Sequence, residues 1–114
     1  MSDCLFCQII DGAIEADLVH DEPGWIAIRD INPQAPTHLL VIPRQHLQSL
    51  EGLDRESRDV AGELLLACRR VAQSEGLSDS GYRVVINTND DGGQTVPHLH
   101  LHVLGGRFMG WPPG

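Results

Sequence analysis

Polar and apolar residues alternate without a break from His98 to Val103: His98, His100 and His102 take every second place, with Leu99, Leu101 and Val103 between them. Period-two alternation predicts a β-strand with one face in a core. Successive strand side chains point to opposite faces, so the three imidazoles share the other face. A helix would keep His98 with His102 and turn His100 away. Residues 55–75 carry a different period. Val60, Leu64, Cys68, Val71 and Ala72 form an apolar stripe at helical spacing, with Asp54 as N-cap and Gly76 as stop, and predict a long helix. Leu5, Phe6, Ile9 and Ile10, within residues 4–10, predict a short N-terminal helix closed by Gly12.

The other apolar runs read as strands: one around Val19, one over residues 25–29 after the turn Glu22-Pro23-Gly24, one over residues 38–43 and one over residues 82–87. Residues 30–36, with Asn32, Pro33 and Pro36, must be loop. Residues 88–95 form a Gly- and Asp-rich turn into the histidine strand over residues 98–104. Strands with one long helix predict an α+β fold, an antiparallel sheet covered on one face. No repeat or linker divides the 114 residues, which read as a single domain.

The formal net charge of -8 argues against broad contact with nucleic acid or an anionic membrane surface. A small phosphorylated ligand held by local donors stays compatible with it. All eight basic residues are arginine, which reads as coding bias. The N-terminus MSDCLFCQII has neither the basic region nor the apolar run of a secretory signal, and no stretch approaches the roughly 18 to 20 apolar residues of a membrane span. Three cysteines without an export signal suggest a reducing compartment, by default the cytoplasm.

Three histidines on one strand face admit three readings. They are exposed surface side chains; or they are a three-histidine metal site of the catalytic zinc type; or they work as nucleophile and general acid–base, since an imidazole with a pKa of about 6.5 stays available in neutral form near pH 7. The neighbourhood favours the last. The loop NDDGGQT at residues 89–95 can turn backbone N–H groups toward an anion, and Thr95 adds a hydroxyl. A phosphate held there would sit beside the imidazoles.

The run His98-Leu99-His100-Leu101-His102-Val103-Leu104 matches in full the motif His-φ-His-φ-His-φ-φ, with φ apolar, and the chain thereby resembles the histidine triad (HIT) superfamily. The blocks DINPQAPTHLLVIPRQH, NTNDDGGQTV and the terminal WPPG look like its branch of nucleotide-binding proteins that act as purine nucleoside phosphoramidases. The resemblance covers the whole chain. It implies that His100 attacks the α-phosphate of a nucleotide and forms a nucleotidyl-histidine that water resolves. His102 would bond phosphate or leaving-group oxygens, and His38 would orient the nucleophile and hold its tautomer, with His98 completing the triad. Thr95, Gly93 and Val96 would stabilise phosphate charge, with Asn87 nearby. Asp30 would hold the ribose hydroxyls, Ile31 and Ile28 would lie against the purine, and Leu5, Phe6 and Ile9 would close the base pocket. For these apolar residues ordinary core is the competing account, and for Asp30 a loop cap.

Some relatives carry a Cys-x-x-Cys pair and bind structural zinc through it and two histidines, which the resemblance places at Cys4, Cys7, His46 and His98. Otherwise Cys4 and Cys7 are simply small helix residues; Cys68, on the helix stripe, reads as core. No cofactor is implied for catalysis. The resemblance also implies a homodimer in which Trp111 reaches toward the partner's site. Pro97 and Arg29 depart from common residues of the branch, which bears on substrate preference. The alternatives are dinucleoside polyphosphate hydrolysis or nucleotidyl transfer by the same nucleophile, and a nucleotide-binding scaffold with little turnover.

Overall fold

The computed structural model describes residues 3–114; Met1 and Ser2, the first two residues of the stretch read for a leader, lie outside the described residues. A short helix α1 (Leu5–Ile10) is followed by strands β1 (Leu18–Asp21), β2 (Trp25–Arg29) and β3 (Thr37–Pro43). Two 3-10 turns lead into the long helix α2 (Arg58–Ser74), and strands β4 (Tyr82–Val85) and β5 (Leu101–Gly105) complete the chain. The five strands form one antiparallel sheet in the order β1-β2-β3-β5-β4. The predicted α+β architecture is therefore the observed one.

Alternation along the strands sorts the core into two layers. Trp25 and Ala27 of β2, Leu39 and Val41 of β3 and Leu101 and Val103 of β5 pack with Leu64, Ala67, Cys68, Val71 and Ala72 of α2. Ile26, Ile28, Leu40 and Ile42, one place along on the same strands, face the other way and pack with Phe6 of α1. The sheet is thus covered by α2 on one face and partly by α1 on the other, where the expectation was cover on one face. That second, incomplete layer leaves room for the site.

Three boundaries differ from expectation. Residues 55–57 form a 3-10 turn in which the Asp54 carboxylate accepts from the Glu56 and Ser57 N–H groups, so the α-helix proper starts at Arg58. Strand β4 ends at Val85, two residues before the expected Asn87. The ladder of β5 starts only at Leu101. Its register pairs Val41 with Leu101, so the next opposed position to Leu99 is Pro43, which has no N–H to donate. The Leu99 N–H bonds the carbonyl of Leu47 instead, at 2.6 Å. Alternation nevertheless continues: Leu99 is in the α2 core, while His98 and His100 both contact the Phe6 ring on the other side.

Candidate active site

The open side of the second layer is a cleft of about 380 Å³. Its walls are Leu5, Phe6 and Ile9 of α1, residues 14–16 of the following loop, Ile28 to Ile31, Leu40, Thr95, Val96, His100 and His102. His102 sits on β5 and His100 just before it, and the 14–16 segment precedes the far strand β1, so the cleft crosses the sheet from imidazoles to apolar pocket. Asp30 stands between these ends, following β2. Ile31 lines the rim at 99 % exposure. Asn87 and Gly93 are not on the cleft wall; Asn87 Nδ2 donates to the carbonyl of Gly92 at 2.6 Å and braces the glycine loop.

Backbone groups dictate where each imidazole keeps its proton. The amide of Gln34 can only donate, and it meets His38 Nδ1 at 3.0 Å, so the proton of neutral His38 is on Nε2. His38 Nε2 lies 2.9 Å from His102 Nδ1 and 3.4 Å from Asp30 Oδ2. It donates to His102, whose own proton is thereby on Nε2. The carbonyl of His98 can only accept, and His100 Nδ1 donates to it at 2.7 Å. Neutral His100 therefore keeps Nε2 as a bare lone pair. The resemblance assigned the tautomer of the nucleophile to His38; the structure puts His38 on His102 and gives that task to the His98 carbonyl.

Burial favours the neutral rings. It holds His38 below its ordinary pKa against the opposing pull of Asp30. It pushes His102 down to about 4, with positive charge on His100 or His38 acting in the same sense and Asp30 against it.

The fully buried His98, 0 % exposed, has turned away from the other two. Its Nε2 donates to the carbonyl of Pro43 at 2.8 Å, leaving Nδ1 bare. That nitrogen is 3.3 Å from Cys4 Sγ, 3.5 Å from Cys7 Sγ and 3.1 Å from His46 Nδ1, and Cys7 Sγ is 3.2 Å from His46 Nδ1. The four candidate ligand atoms all lie within 4.8 Å of one another. Ligands around a tetrahedral zinc stand about 3.3–3.8 Å apart, from Zn–N and Zn–S bonds of about 2.0 and 2.3 Å. Donor set, spacing and tautomer all fit such an ion, with the Pro43 carbonyl as the outer partner that orients a ligating histidine. Cys4 and Cys7 flank Phe6 on α1, where Cys4 is also the N-cap.

A metal site made of the three triad histidines does not fit, because their ring nitrogens have separate partners: thiols, a backbone carbonyl and His38. Asp30, His38 and His102 also cluster. A metal on His38 Nε2 would drive the ring proton to Nδ1, where the Gln34 amide already points.

Several contributors carried no signal in a side-chain reading. The Gln34, Pro43 and His98 peptide groups work through the backbone, which is alike at every residue. Arg107 holds the Gln34 carbonyl through Nε and Nη2 at 3.2 and 3.0 Å. Gln94 ties the loop together, accepting from the Asn89 N–H and donating to the carbonyls of Gln48 and Val96. Ile14, Glu15 and Ala16 complete the apolar end of the cleft, on a segment with no element of its own.

Comparison with known proteins agrees with this geometry. An uncharacterized HIT-like protein of Synechococcus elongatus is 49 % identical over 112 residues, covering 98 % of this chain and 97 % of the relative. A 14 kDa zinc-binding protein of Zea mays is 46 % identical over 115 residues, covering 99 % and 89 %. The crystal structure of a HIT family hydrolase from Legionella pneumophila superposes with a TM-score of 0.96 at 48 % identity, covering 98 % of this chain and 100 % of that one. With residues 11–109 matching the HIT domain as well, the chain belongs to the HIT domain family.

Proposed function

We propose that this chain is a nucleotide-binding hydrolase that cleaves the P–N bond of purine nucleoside 5′-phosphoramidates and related nucleotidyl conjugates through a covalent nucleotidyl-histidine on His100. One observation carries the reading: the 2.7 Å bond from His100 Nδ1 to the His98 carbonyl leaves Nε2 bare at the polar end of a cleft that is otherwise largely apolar. The hydrolase from Legionella pneumophila shares nearly the whole fold and supports the reaction class.

The purine lies in the apolar end, among Phe6, Ile9 and Ile28, and the Asp30 carboxylate accepts from the ribose hydroxyls. His100 Nε2 attacks the α-phosphorus, the P–N bond breaks, and the amine leaves with the bonding pair and takes up a proton from solvent, to which the hydrolytic water returns one in the second step. The new imidazolium keeps its Nδ1–H on the His98 carbonyl, which stabilises the charge that develops there. The Nε2–H of His102, held in place by His38, donates to a phosphate oxygen. Water then displaces Nε2 from phosphorus, giving the nucleoside monophosphate and restoring His100. Thr95 and the backbone at Val96 serve the phosphate, with Gly93 shaping the loop behind them.

We also assign a structural zinc to Cys4, Cys7, His46 and His98, supported by the fit of the four donors and by the zinc-binding relative of Zea mays. Such an ion would tie α1 to the segments that carry His46 and His98 and would supply no reacting group. No helix among the described residues is long and apolar enough to cross a membrane, and the three cysteines suit the cytoplasm.

Incubation with adenosine 5′-phosphoramidate should release AMP, and His100→Ala should abolish release while AMP still binds. Full activity in that variant would refute the nucleophile. Elemental analysis should find about one zinc per chain; a metal-free chain purified without chelator would count against the four-ligand site.

A further inference from the structure

The two sites meet in one peptide group. The His98 carbonyl holds the His100 tautomer, and the N–H of the same peptide, that of Leu99, bonds the Leu47 carbonyl at 2.6 Å. A peptide is planar, so fixing its N–H fixes the direction of its C=O. Leu47 is the residue after His46, and His46 and His98 approach at 3.1 Å through their Nδ1 atoms. The thiols of Cys4 and Cys7 close the same cluster from α1. Between them in sequence, Phe6 lies edge-on to the rings of both His98 and His100, with centroids 5.9 and 5.0 Å apart. The Leu99–Leu47 bond and the contacts of His98 Nδ1 therefore run back to the four candidate ligands, while His98 Nε2 holds the Pro43 carbonyl and Leu99 packs in the α2 core.

We propose that Cys4, Cys7 and His46 are positioning residues for His100, acting through His98. With a metal among them, the 46–47 segment, the 98–99 peptide and α1 are one rigid body, and the His98 carbonyl stays aimed at His100 Nδ1. Without it, His46 is an exposed loop side chain, and His98 keeps its bond to Pro43 and its contact with Phe6 but loses the grip on Nδ1 that links it to the 46–47 segment. The carbonyl then loses its aim, and His100 redistributes its proton to Nε2, the atom that must attack. This inference rests on the two assignments above, His100 as nucleophile and zinc at the four ligands. It adds that the zinc site governs the nucleophile and not the fold alone.

The test uses the whole chain without nucleotide. His46→Ala removes a ligand that is neither on α1 nor on the cleft wall. Nitrogen-15 shifts of the His100 ring, read by NMR, report which nitrogen carries the proton with no turnover needed. Zinc-loaded wild type should show Nδ1–H alone. His46→Ala, and wild type treated with a chelator, should show a mixture with Nε2–H while circular dichroism stays native. In the phosphoramidate assay kcat should fall about 10- to 100-fold, with a smaller change in KM, as for a small misplacement of a reacting group. Zinc added back should restore chelated wild type but not His46→Ala.

An unchanged His100 tautomer and a kcat within about twofold of wild type after zinc loss would overturn the proposal. So would unfolding of the whole chain on zinc loss, which would make the metal a folding element. Wild type that binds no zinc would remove the metal assignment and the proposal with it. A tautomer shift in a chain that hydrolyses no phosphoramidate would uphold the coupling and refute the proposed activity instead.

Discussion

His102 is disfavoured as a cation from every side but one: burial acts most, His100 and His38 add to it, and only Asp30 opposes. Unfolded, its imidazole titrates near about 6.5; folded, it is pushed down to about 4. Between these values the unfolded chain binds more protons, so stability is full above about pH 6.5 and falls as pH drops toward about 4. His38 is shifted the same way. Denaturant midpoints measured across that window should fall with pH in wild type and fall less in His102→Asn; equal slopes would show that the buried ring does not control them. Cys68 makes a second residue-scale prediction. Burial in the α2 core pushes its thiol up to about 12, whereas Cys4 and Cys7 are only partly buried. After chelation, a thiol reagent should modify two cysteines in the native chain and the third only on denaturation. At this scale the alternation in residues 98–104 made the shared face of the imidazoles legible. Their separate hydrogen-bond partners were not, because these include the Gln34 amide and the Pro43 and His98 carbonyls.

Among the elements, those written in side-chain periodicity were read correctly and those that end on a hydrogen-bond detail were not. The stripe Leu64, Cys68, Val71 and Ala72 is the buried face of α2, with Ala67 added and Val60 half-buried at its edge. The start of that helix moved because Asp54 caps a 3-10 turn first. The ladder of β5 starts late because Pro43 cannot pair with Leu99, although the polar–apolar alternation runs through both segments. The glycine loop before it has its own constraint. A Cβ on Gly92 would lie 2.4 Å from the carbonyl oxygen and 2.7 Å from the amide nitrogen of Thr88, both backbone atoms with little freedom to yield. Gly92→Ala should therefore cost about 1–3 kcal/mol in denaturant unfolding. It should also raise KM for nucleotide, as the loop carries Thr95 to the cleft. Wild-type stability in that variant would show that the loop relaxes freely.

For the whole molecule, part of the apolar surface left outside both core layers lies at one sheet edge and the C-terminus. Strand β4 is an edge of the sheet with Tyr82 and Val84 exposed, and Phe108 and Trp111 are 91 % and 84 % exposed. An edge strand and large apolar side chains in water are what association would cover, which supports the homodimer that the resemblance implies. Sedimentation at micromolar concentration should give twice the chain mass, and Trp111→Ala should alter turnover if the tail reaches the partner's cleft; a monomeric wild type would remove that role. The central claim concerns a single bond. Wild-type protein mixed with adenosine 5′-phosphoramidate and quenched within one turnover should yield, by mass spectrometry after digestion, an adenylyl group on the peptide containing His100. A burst of amine release should precede steady AMP production. AMP formed with neither burst nor adduct, or an adduct on another residue, would contradict the account.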